Sequence, residues 1–200
     1  FLWNQLNAKS NDLLKEMQRA SDVKPEQRNH FDKAVINLWR TTFLYQQLKA
    51  CVQPPDARDW PKELKSFLDN LAAGRAAAIA QQAGKPHDEA ALKQIMDDVS
   101  RFDMMERYDE LGKQLKMRVP LFLPPESGSA DDEWHRTGEA LMHAARGETP
   151  NFALAHYAIL GAAFRANDAS AFNQAVAAYR AALAGRLDAN LKQAAQEQYF

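Results

Sequence analysis

The helix breakers of this 200-residue chain are gathered into a few short stretches, and between them the apolar residues recur every three or four positions. That period places them on one face of a helix. With only 8 Gly and 9 Pro, the sequence lacks the turn chemistry of a loop-rich β architecture. The expectation is an all-α chain, a bundle of long antiparallel helices followed by shorter, Ala-rich packed helices.

Leu2, Leu6, Leu13 and Met17 mark a first helix ending near Ser21-Asp22. Pro25, suited to a first turn, opens a second helix whose predicted inner stripe is Phe31, Val35, Leu38, Thr42, Tyr45, Leu48 and Val52. Pro54-Pro55 stops it, because neither proline donates an amide hydrogen and each disfavours helical backbone before it. A third helix starts at Asp59 or Trp60, ahead of Pro61, and closes at Gly84-Lys85-Pro86. A fourth runs from about Asp88 to Lys116, with Leu92, Ile95, Val99, Phe102, Met105, Leu111 and Leu115 facing inward.

Residues 118–130 contain Pro120, Pro124, Pro125 and Gly128, which excludes helix and favours extended or polyproline-like backbone. They divide the sequence into a long-helix bundle, 1–117, and an Ala-rich helical subdomain, 131–200, the two being either separate or one domain. The composition shifts at the same place: residues 131–200 hold 20 Ala and one of the 12 Lys. Small side chains let helix axes come closer together. Helices are expected at 131–146, 150–167, 169–185 and 188–199, parted by Gly147, Asn167-Asp168 and Gly185.

Charge narrows the range of functions. The 25 Lys and Arg nearly cancel the 26 Asp and Glu, and no segment is basic enough for a nucleic-acid partner. No apolar run reaches the ~18 residues that a membrane span requires. Both ends fall inside helical patterns, as expected for a piece of a longer polypeptide. The lone Cys51 has no partner for a disulfide, for a Cys-pair zinc site or for covalent haem attachment. Beside Ala50 and Val52 it reads as a small buried residue rather than a nucleophile.

Catalytic and metal chemistry find little support. His30, His87, His135, His143 and His156 include no pair at the four-residue spacing that aligns two ligands on a helix. His135 and His143, placed on one helix, stand about 12 Å apart by rise, too far to share a metal. Asp97-Asp98 diverge by about 100° around a helix. Asp131-Asp132-Glu133 reads as acid in the first turn of the helix carrying Trp134. No phosphate-cradling loop or nucleophile elbow is present. No catalytic, metal-binding or cofactor-binding residue is therefore assigned, and the chain is not expected to be an enzyme.

Trp39 and Trp60 read as core or rim anchors, and Trp3 as a bundle residue or an interfacial one. Trp134 follows the proline segment. With Pro120, Leu121, Phe122 and Pro124 it forms a candidate partner-docking surface, the alternative being that this stretch packs as a buried strap.

Two resemblances add to this. Tyr157, Leu160, Gly161 and Phe164, then Ala175, Tyr179 and Ala182, resemble one tetratricopeptide repeat, although the Phe164 to Ala175 step is two residues longer than usual and no second copy follows. A generic helical adaptor binding a peptide or protein partner is the corresponding reading. More of the chain is similar to the large extracytoplasmic region of the CcsA-type membrane proteins of c-type cytochrome biogenesis. The similarity rests on Val119-Pro120-Leu121-Phe122-Leu123-Pro124-Pro125, then Trp134, then Ala171-Phe172-Asn173 with Val176 and Tyr179, and Glu197 before Phe200. It implies an extracytoplasmic domain on the periplasmic side of the inner membrane, held there by flanking segments. Such a domain docks an apocytochrome or an assembly-partner protein while the parent protein handles haem. The family's Trp-rich haem motif is not found in this sequence, so no histidine is assigned as a haem ligand and no cofactor is expected in this segment.

Overall fold

The computed structural model describes residues 6, 8–114, 120–125, 134–188, 191, 192 and 196. These residues form seven α-helices: α1 (Ser10–Asp22), α2 (His30–Ala50), α3 (Trp60–Gln82), α4 (Glu89–Gln114), α5 (Thr137–Arg146), α6 (Ala153–Arg165) and α7 (Ala169–Leu183). The expected all-α class holds. Leu2, Trp3, Leu115, Asp131-Asp132-Glu133, Glu197 and Phe200 lie outside the described residues. Within the predicted 188–199 helix, the described positions 188, 191, 192 and 196 are helical. No described helix is long and apolar enough to cross a membrane. Contacts divide the chain into two units, 1–47 and 48–200, and this boundary falls inside α2 rather than at the proline-rich segment.

In the first unit, Arg28 ties off the end of α1, its guanidinium donating to the carbonyls of Ala20, Ser21 and Val23. Pro25 opens a short 3-10 turn, Pro25–Gln27, rather than α2. Helix α2 starts later because Asn29 and Asp32 satisfy each other. The Asp32 amide donates to Asn29 Oδ1 at 2.8 Å, and the Asn29 amide donates to Asp32 Oδ2 at 3.1 Å. Arg19 donates to the other Asp32 oxygen at 2.8 Å and holds that carboxyl below its ordinary range.

Asp32, Val35 and Phe43 are buried, while Phe31, Leu38, Tyr45 and Leu48, four residues of the predicted inner stripe, are exposed. Helix α2 has apolar residues on two faces, so periodicity could not choose between them, and the buried face carries Asp32, which pairs with Arg19.

The second unit is built on α3 and α4. Phe67 and Phe102 meet edge to face at 4.8 Å, and Trp60 closes on Phe102 at 6.4 Å. One apolar core joins these residues to Leu123, to Ala140 and Leu141 of α5 and to Leu154 and Ala158 of α6. The proline-rich segment thus contributes to a core drawn from both sides of it. Gly74 of α3 lets α4 approach, since a Cβ there would lie 2.7 Å from the Ile95 Cβ. Gly84, with φ +66°, ends α3. Its amide reaches the Gln81 carbonyl and the Lys85 amide reaches that of Ala80, the paired closure that a left-handed residue makes possible. Cys51 is buried as expected. Burial pushes its thiol up to about 12, and the Sγ donates to the Leu48 carbonyl.

Arg101 fastens the 51–59 loop to both long helices. It pairs with Glu63 at 2.6 Å, Asp56 at 3.0 Å and Asp98 at 3.6 Å, while Glu63 also accepts the Arg58 and Asp59 amides. Burial alone would raise the Glu63 carboxyl, but Arg101 and the two amides outweigh it and hold Glu63 below its ordinary value. Asp98 shifts upward, because burial outweighs its Arg101 partner. The two therefore act oppositely on stability. Glu63 stabilises fully above its unfolded value near 4.5 and loses that contribution as pH falls through its folded value. Asp98 favours the fold below its own unfolded value near 3.8 and loses that as pH rises. Glu63→Gln should lower the urea midpoint most at pH 7, with the gap closing below pH ~4.5. A gap of constant size across that range would show that no proton is linked to this pair.

Candidate functional site

The non-helical backbone is held from Phe122 through Pro124 by a set of hydrogen bonds. The amides of Phe122 and Leu123 both donate to the His135 carbonyl, at 3.2 and 3.0 Å, and the His135 amide returns to the Leu123 carbonyl at 2.9 Å. Two residues thus oppose one across the antiparallel Leu123–His135 bridge, the arrangement of a β-bulge, which re-aims the flanking side chains. The Phe122 carbonyl accepts the Tyr157 hydroxyl at 3.1 Å, and the Pro124 carbonyl accepts Asn151 Nδ2 at 2.8 Å. Every backbone donor and acceptor from Phe122 through Pro124 is satisfied, as burial of this backbone requires.

This frame sorts the five candidate docking residues. Leu121 and Trp134 stand outside, 50% and 40% exposed, and Pro120, next to Leu121 in sequence, is exposed. Phe122 is half-buried with its ring edge to face on Tyr157 at 6.0 Å. Pro124 is fully buried next to Leu123 and Pro125, so it belongs to the frame and not to a contact surface. The segment is a strap from Phe122 to Pro125, with Pro120 and Leu121 exposed at its N-terminal end and Trp134 exposed next to the bridged His135. Trp134 also lies before α5, not in it, because α5 begins at Thr137.

That later start corrects the reading of the histidines. Counting rise along a single helix put His135 and His143 about 12 Å apart. His135 instead lies in the bridged extended segment, and the two ring centroids are 6.0 Å apart. Each ring faces a carboxylate, His135 Nδ1 at 3.8 Å from Glu139 and His143 Nδ1 at 3.3 Å from Glu148. Among the described residues no group of three or more His, Cys, Asp or Glu is arranged to hold a metal ion. Asp97 and Asp98 diverge as predicted, Asp97 pairing with Lys93 at 2.6 Å and Asp98 with Arg101.

Sequence reasoning missed Asn151, and it singled out Tyr157 only as a repeat-like position and not as a residue that holds the strap. Asn151 is buried. Its Nδ2 holds the strap while its Oδ1 accepts the Ala153 amide at the start of α6. The signal was present, an Asn directly ahead of an apolar helical pattern. Tyr157 belongs to the repeat-like hairpin of α6 and α7, where it packs on Tyr179 at 5.2 Å between ring centroids. Burial and the Tyr157 hydroxyl raise the Tyr179 phenol above its ordinary value. Phe164, a signature position of the resemblance to a tetratricopeptide repeat, is 76% exposed.

Compared with known proteins, the chain matches no family model, no curated sequence and no solved structure.

Proposed function

We propose that this chain is a protein-docking domain rather than an enzyme, and that the surface it presents is the pair Leu121 and Trp134 flanking the strap. The observation that carries this reading is the contrast around one bridge. Leu123 and Pro124 are buried and the backbone from Phe122 through Pro124 is fully hydrogen-bonded, while Leu121 before it and Trp134, next to the bridged His135, are left in solvent. A backbone already held by hydrogen bonds has less freedom to lose when the apolar side chains next to it are bound, which favours them as interface anchors. The resemblance to the extracytoplasmic region of c-type cytochrome biogenesis proteins supplies the partner class, an apocytochrome or another assembly protein. The same resemblance gives a periplasmic setting in a membrane-anchored parent that handles haem.

The test replaces Leu121 and Trp134 by Ala in the full-length protein, leaving Phe122 in place because it packs on Tyr157. Capture of a synthetic apocytochrome peptide should weaken about 30-fold or more, as for loss of interface anchors worth ~2 kcal/mol or more together, with helicity unchanged. Maturation of a reporter c-type cytochrome, followed by haem staining, should fall with it. Unaltered capture and maturation would refute this surface. Lost capture of the peptide with normal cytochrome maturation would point to a helical adaptor serving other partners.

A further inference from the structure

Away from the strap, the second unit carries a depression whose two halves differ in chemistry. Helices α3 and α6 border a half-open groove of about 320 Å3, floored by Leu64 and Ala158 and walled by Leu68, Ala155 and Ile159. Beside it lies a shallow patch, open to solvent and lined by polar side chains alone, among them Lys62, Asn70 and Gln94. Lys65 and Asp69 border both halves and pair with each other at 2.5 Å, so their charges cancel. Lys62, one turn earlier, has no ion-pair partner among the described residues and leaves the polar half with one uncompensated positive charge. The two amides there are half committed. Asn70 Nδ2 donates to the Ala91 carbonyl at 3.1 Å, and Gln94 Nε2 donates to Ser66 Oγ at 2.9 Å and its carbonyl at 3.2 Å. Their carbonyl oxygens are left as acceptors.

We infer that this depression binds an extended peptide segment in which an aliphatic side chain neighbours an acidic one. The aliphatic side chain fills the groove over Leu64 and Ala158, and the carboxylate accepts from Lys62 Nζ. Backbone amides of the peptide donate to Asn70 Oδ1 and Gln94 Oε1. Those two acceptors favour a peptide over a simple fatty carboxylate, which has no N–H to offer them. The site is independent of the Leu121 and Trp134 surface.

The experiment titrates the 15N-labelled 200-residue chain with three capped hexapeptides, one alternating leucine and glutamate, one with glutamine for glutamate and one with alanine for leucine. Saturable amide shifts are expected, confined to residues 61–70, 94 and 155–159. The glutamine peptide should bind about threefold to fivefold more weakly, as for an exposed ion pair, and the alanine peptide about tenfold or more weakly. Lys62→Gln in the protein should reproduce the first loss, and Ala155→Trp, at an exposed position, should fill the groove and abolish binding with helicity retained. Trp134→Ala should leave the titration unchanged, which separates failure here from failure of the strap surface. Equal affinity for all three peptides, shifts centred elsewhere, no saturation at millimolar peptide, or octanoate binding as tightly as the leucine–glutamate peptide would each overturn the inference.

Discussion

Replacing Phe102 by Ala should destabilise the chain by about 3–5 kcal/mol, the range for removing a large aromatic from a core that cannot collapse around the gap. Phe102 is fully buried and is met edge-on by both Phe67 and Trp60, so truncation removes two aromatic contacts in addition to the buried area. The surroundings are poorly able to relax. Gly74 already brings α3 to α4 with no slack at Ile95, and Arg101, next in sequence, is fixed by three carboxylates. Urea unfolding followed by circular dichroism at 222 nm measures the loss. Phe102→Leu, which keeps most of the volume, should cost less than half as much. Equal losses for the two variants would mean that ring contacts, not volume, dominate at this position.

The second large effect is expected at Asn151, for a different reason. Asn151→Ala leaves the buried Pro124 carbonyl without its donor and the Ala153 amide without its acceptor at the start of α6. An orphaned buried acceptor costs about 1–3 kcal/mol and a lost helix cap about 1 kcal/mol, so a total of about 2–4 kcal/mol is expected. Asn151→Asp is the informative companion. It keeps the acceptor for Ala153 and turns the donor facing Pro124 into a carboxylate oxygen, so it should be no better than Ala if the strap bond dominates. Stability restored to that of the native chain by Asp would show that the cap alone matters. Because the strap frames Leu121, Asn151→Ala should also lower partner capture at temperatures where the helices remain folded.

Local chemistry explains which parts of this fold could be read in advance. Helix α3 was legible because Pro61 and Gly84 mark its two ends, and the α6–α7 break because Asn167, at φ 54°, and Asp168, which accepts the Ala171 amide, close one helix and cap the next. The inward face of α2 was not, because Phe31, Leu38 and Tyr45 have the same spacing as a buried stripe. Nor did the sequence mark Asp32 as buried, since its pairing with Arg19 joins residues 13 apart through side chains that look like ordinary surface charge. The docking segment was half legible. Proline content ruled out helix, but which prolines face inward depended on Asn151 and Tyr157, 27 and 35 residues further along from the groups they bind. The approach of His135 and His143 was hidden for the same reason, since it follows from where α5 begins.

The strap's hydrogen bonding limits how any partner can bind it. Pro120, Pro124 and Pro125 have no amide hydrogen, and the donors and acceptors of Phe122 and Leu123 are already engaged. An incoming strand would find no open donor or acceptor from Phe122 through Pro124, so recognition by β-augmentation is closed to these residues. Whatever docks there must read side chains, and its selectivity will follow shape and apolar fit rather than backbone pairing.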